Sequence, residues 1–103
     1  MEYEQYSDIP VTTTPTFQGK EIKNYLGIVC AEKTSVITAL FGRKMLSAYE
    51  NELFNAREEA LKDIQQQAIA MGANAVVGID LDYSVLGQTN IIMVSATGTA
   101  VVI

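Results

Sequence analysis

The stretch "GANAVVGIDLDYSVL", residues 72–86, decides how this chain folds. After Gly72 the apolar and β-branched residues alternate with others, which predicts a strand over 74–86. Regular alternation puts Gly78, Asp80, Asp82 and Ser84 on one side, and Ala75, Val77, Ile79, Leu81 and Tyr83 on the other. Two carboxylates in mid-strand must face solvent, a metal ion or another subunit.

Upstream, "SAYENELFNAREEALKDIQQQAIAMG" reads as one long amphipathic helix. Leu46, Tyr49, Leu53, Ala56, Ala60, Ile64 and Met71 recur at helical spacing, with Phe54, Leu61 and Ala68 as a flanking stripe. Ser47 is the predicted N-cap, with Glu50 completing a capping box. "TALFGRKML" before it is read as a connection around Gly42. Gly72 ends the helix at its C′ position. Downstream, Gly87 and Gln88 turn the chain into a second strand over 89–103, so the two runs form an antiparallel hairpin. Ile92, Val94, Ala96, Gly98, Ala100 and Val102 share its apolar side.

A first strand is predicted over about 22–37, apolar on both sides until Glu32 and Lys33 and so read as buried on both faces. Tyr25, Gly27, Val29 and Ala31 share one side; Leu26, Ile28, Cys30 and Glu32 share the other. Val11–Thr14, bracketed by Pro10 and Pro15, is a short extended piece for a sheet edge or a neighbouring chain. Residues 1–8 are polar and read as a flexible extension; residues 9–103 form a single domain. The fold class is α+β: a β-α-β-β two-layer sandwich, with an antiparallel sheet, one long helix and a short extra N-terminal strand.

The predicted core pairs Ala75, Val77, Ile79 and Leu81 with Ile92, Val94, Ala96 and Ala100, and small residues let the helix approach closely. The other sheet face carries Val76, Gly78, Asp80, Asp82, Met93, Ser95, Thr97, Thr99 and Val101. One helix covers one face, so the second face is expected to be buried against other copies of the chain.

The composition narrows the function. Seven basic and twelve acidic residues give a net charge of −5. This argues against nucleic acid and against an anionic membrane surface as partners. There is no histidine, which removes Ser-His and Cys-His pairs and HExxH zinc sites. The N-terminal stretch reads as neither a secretory signal nor a membrane span. One cysteine, Cys30, excludes an intrachain disulfide and fits a reducing, cytoplasmic compartment.

Four stretches, "TTTPTFQGKEI", "YLGIVCAE", "AYENELFNAREEALKDIQQQAIAMGANAVVGIDLDY" and "MVSATGTAVVI", resemble the YbjQ-like family, which carries a heavy-metal-binding label. The resemblance spans residues 12–103 apart from one gap. It implies a dodecin-subunit-like fold closed into a pentameric ring, a homo-oligomer in which the extra short strands bind neighbouring subunits. Family members carry a longer segment before the helix, ending in a Gly-Gly-Arg-Ser-like turn; here "KTSVITALFGRKMLSAYE" is shorter and keeps only Gly42-Arg43.

Three groups of residues are candidate sites. Asp80 and Asp82, repeated around a ring, would offer oxygen donors to a divalent metal ion such as Ca²⁺, Mg²⁺ or Mn²⁺. The plainer reading is that they are solvated or paired with a neighbour's Lys or Arg. Cys30 supplies one soft donor, so a thiolate site needs several copies; the plainer reading is a small buried hydrophobe. Glu32, Lys33 and Arg43 form a weaker group, in which Arg43 beside Gly42 would hold an anion at a turn; the plainer reading is a solvated or intersubunit charge. No nucleophile–base pair, sugar cleft or GxGxxG loop is present, so no enzymatic activity is expected. The functions left are a metal or small-ligand binding module at subunit interfaces and a scaffold without ligand.

Overall fold

A computed structural model describes residues 9–36, 42–86 and 91–103, with side chains described from Ser47 onward in the helix. The expected extension at 1–8, the turn at Gly87 and Gln88, and the side chains of Arg43, Met45 and Leu46 lie outside the described residues. The elements are β1 (Asn24–Val36), α1 (Gly42–Ala70), β2 (Ala75–Val85) and β3 (Ile91–Val102). The sheet order is β1-β3-β2, with both pairings antiparallel. β1 and β2 are therefore parallel and separated by β3, a split β-α-β unit closed by one long helix.

The helix begins five residues before Ser47, so Ser47 is interior and the expected capping box does not form. Its first turn contains no acidic residue. Arg43, Lys44, Met45 and Leu46 all favour helix, and together they outweigh one cap, typically worth about 1 kcal/mol. At the other end the Ala73 N–H donates to the Ala68 carbonyl (2.9 Å) and the Gly72 N–H to that of Ile69 (2.9 Å). This is a Schellman closure, and its flanking pair, Ala68 and Ala73, is buried.

The buried stripe of α1 is narrower than its periodicity suggests. Ala56, Ala60, Ile64 and Ala68 are fully enclosed, spaced four residues apart, with Leu53 and Leu61 packed beside them. Phe54 is 53% exposed and Met71 is also exposed. The alanines meet Val29, Ala31, Val94, Ala96 and Ala100, so helix and sheet lie close, as small residues on both surfaces require.

The phase of β2 departs from simple alternation. Val77 pairs with Thr99 and Asp80 with Thr97, so Gly78 and Ile79 together oppose only Gly98. Gly78 has φ +64°, the left-handed geometry of a glycine-type bulge. Val76 and Ile79 thus both face the helix, whereas Ala75 and Val77 turn to the opposite face. The expected core row of Ala75, Val77, Ile79 and Leu81 is corrected accordingly: only Ile79 and Leu81 belong to the helix side. A second irregularity, between Tyr25 and Gly27, brings Leu26 to the helix side instead of the side of Ile28.

The second face is not left wholly to other copies. Residues 9–22 run along the outer edge of β2 and then across the lower end of this face. Hydrogen bonds from Thr12 N to Val76 O (3.0 Å), Val76 N to Pro10 O (3.0 Å) and Ile79 N to Thr12 O (3.0 Å) hold the strap. The extended piece expected at 11–14 is a single parallel bridge, Val11 with Val76, on the chain's own sheet. Phe17 and Ile22 then pack on Ala75, Val77 and Val101. α1 lies over β1 and β3 and touches β2 least, so Ile9 and Val11 complete the core beside β2.

A methyl group at Gly98 would lie 2.8 Å from Val76 Cγ1 and 3.2 Å from Ile79 Cγ1, whereas one at Gly78 meets nothing within 4 Å. Gly98→Ala is therefore expected to cost about 1–3 kcal/mol by overpacking. Gly78→Ala is expected to cost about 1–2 kcal/mol through backbone strain alone, and Gly78→Asn less. Denaturant unfolding of the three variants checks the order; equal costs for Gly78→Ala and Gly78→Asn would refute the left-handed bulge.

Candidate functional site

The uncovered part of the second sheet face is built from cross-strand rows. Cys30 and Asp80 flank Thr97, Glu32 and Asp82 flank Ser95, and Thr34 and Ser84 flank Met93. Ile28 stands beside Thr99 at the lower end. Both aspartates remain on the face that alternation assigned to them, because the bulge precedes them. Cys30 is exposed in the chain and not a buried hydrophobe. β1 is likewise open on one face: Ile28 is 79% and Tyr25 67% exposed.

These rows bring the three candidate metal ligands to one face without bringing them to one point. Neighbouring strands are about 4.8 Å apart, so Cys30 and Asp80 stand roughly 10 Å apart across Thr97. Donors to one cation lie about 2.0–2.6 Å from it, which places any two within about 5 Å of each other. Among the described residues no three His, Cys, Asp or Glu side chains form a metal-binding group. Nor is any buried side-chain polar atom there left without a hydrogen bond. One copy by itself therefore does not fit a chelated heavy metal.

A hollow of about 550 Å³ is lined by Cys30, Ala31, Glu32, Asp63, Ser95, Ala96 and Thr97. Another, of about 330 Å³, is lined by Ile28, Gly78, Thr97, Gly98 and Thr99. Neither includes Asp80 or Asp82. Thr97 lines both, and it is the residue that sequence reasoning passed over. Its only signal was its place in the middle of an otherwise small-residue strand. The weaker group separates: Lys33 pairs with Asp63 of α1 at 3.3 Å and faces away from Glu32, and Arg43 lies outside the described side chains.

Residues 9–103 match the YbjQ family model, described as "Putative heavy-metal-binding". The chain belongs to this family. It is 47% identical to a UPF0145 protein of Acetivibrio thermocellus, over 90% of this chain and 97% of that one. A UPF0145 protein of Clostridium kluyveri is 49% identical with the same coverage, and one of Listeria ivanovii is 48% identical over 90% and 94%. A crystallised protein of unknown function from Pediococcus pentosaceus, placed in the DUF74 family, shares the fold with a TM-score of 0.68. It is 18% identical, over 90% of this chain and 95% of that one. Among the described residues no helix is long and apolar enough to cross a membrane.

Exposure of Cys30 makes its thiol a reporter of this face. Maleimide is expected to label it in the native protein at high dilution, and more slowly as protein concentration rises. A rate independent of concentration would mean that this part of the face stays open.

Proposed function

We propose that the chain is a non-enzymatic binding module that works as a homo-oligomer in the cytoplasm, with the ligand held where open sheet faces meet. The supporting observation is the composition of that face. Exposed Ile28 and Tyr25 share it with Cys30, Glu32, Asp80 and Asp82. Apolar residues of this size favour contact with a protein surface over contact with water. The carboxylates on the same face are then brought next to those of another copy, which supplies the proximity that one chain lacks.

A ring of five copies is the assembly that the family resemblance implies, and it would repeat Asp80 and Asp82 around an axis. The donor set has three carboxylates to one thiol, which suits a hard divalent cation better than a soft heavy metal. The net charge of −5 favours cations over nucleic acid or anionic membranes as partners. A scaffold without ligand is the second reading, favoured by the wide spacing of the donors within one chain.

Native mass spectrometry with metal analysis separates the two. A discrete oligomer with stoichiometric divalent metal, lost in Asp82→Asn without loss of the oligomer, is the result expected for a binding module. A metal-free oligomer indifferent to Ca²⁺, Mg²⁺ and Mn²⁺ leaves the scaffold. Ile28→Asp puts a charge on the exposed apolar position and is expected to lower the assembly mass to that of a single chain, with the circular dichroism spectrum retained. An unchanged mass would refute assembly through this face.

A further inference from the structure

β1 is an edge strand, so every second N–H and C=O along it points away from the sheet. Such an edge accepts a strand from another molecule unless something blocks it. At Cys30 both groups are already taken by one side chain. The Cys30 N–H donates to Gln67 Oε1 at 3.3 Å, and Gln67 Nε2 donates to the Cys30 carbonyl at 2.7 Å. These are the two bonds that a residue of an incoming antiparallel strand would make.

The amide is braced in this position. Gln67 Nε2 also contacts Asp63 Oδ1 at 3.3 Å, one helical turn earlier, and Asp63 Oδ2 pairs with Lys33 Nζ of β1 at 3.3 Å. Lys33, Asp63 and Gln67 thus tie the helix to β1 at Cys30 and at Lys33. The fold uses the same two-bond pairing elsewhere. Asn74 Nδ2 donates to the Ile103 carbonyl at 3.0 Å and Asn74 Oδ1 accepts from the Ile103 N–H at 2.8 Å, so a side-chain amide stands in for a strand residue there too. On the far edge the strap blocks the start of β2, from Val76 to Ile79, and Gln65 Nε2 holds it by the Ile9 carbonyl at 2.9 Å.

We propose that Gln67 is an edge guard: its side-chain amide occupies the pairing position at Cys30 and keeps β1 from adding a strand of a second copy. With β2 closed by the strap over Val76–Ile79, self-association is directed to the open face and away from open-ended sheet extension through β1. This deepens the reading of the chain as a homo-oligomer and rests on it only for the direction of assembly; the guarding itself does not require it.

Gln67→Met keeps the length and removes the amide. In the full chain it is expected to give species heavier than the wild-type assembly, increasing with protein concentration in native mass spectra. Hydrogen exchange is expected to slow at Glu32 and Thr34, whose N–H groups share the outward direction of Cys30. Ile92→Val, in the buried core, is the control for lost stability. The proposal is overturned if Gln67→Met retains the wild-type mass with faster exchange along β1, or if Ile92→Val gains the same mass. A monomeric wild type would remove the homo-oligomer reading, and the guard would still be judged by the mass that Gln67→Met gains.

Discussion

The structure depends on two residues of β2 sharing one position of β3. Gly78 takes a left-handed conformation, and Gly98 opposite it has no side chain. The bulge therefore closes over β3, and Val76 and Ile79 reach the helix side together. Without that shift, one of them would leave the core and Ala75 and Val77 would enter it. Ala75 and Val77, the part of β2 on which Phe17 and Ile22 pack, would then be lost to the strap. The bulge thus gives one strand two apolar faces at its start and a single one beyond.

That double-sided start explains how a chain with one helix encloses so much of its sheet. The helix covers β1 and β3, and the strap covers the flank of β2 and the lower end of the far face. Two glutamines from the run Gln65–Gln67 fasten these layers, one to the strap and one to the β1 edge. Gln65 is buried and would be costly there without a partner. Its bond to Ile9 turns that cost into a specific position for the strap.

Strand spacing governs the chemistry of the open face. Side chains on the outer strands of a three-stranded sheet are too far apart to share an ion, however well they align across the central strand. Cys30 and Asp80, or Glu32 and Asp82, can belong to one site only if a second molecule supplies the donors between them. Ligand binding and assembly are for that reason one question in this protein. The exposed apolar side chains that favour assembly lie on the same face as the donors.

Much of the fold was legible in the residues. Helical spacing from Leu53 to Ala68, the hairpin pattern and the helix stop at Gly72 are local signals, and the elements follow them. That Asp80 and Asp82 share one side also follows from alternation within β2, whereas their sharing it with Cys30 follows only from the pairing of both outer strands with β3. The start of the helix was hidden because a cap preference at Ser47 is weaker than the summed propensity of the residues before it. What only the tertiary structure decided is which side Val76, Ala75 and Val77 occupy, where the strap lies and what Gln67 binds. A bulge shifts the phase of a strand through a partner remote in sequence, and an amide finds its partner only when helix and edge are already side by side. Periodicity within one segment does not contain either fact.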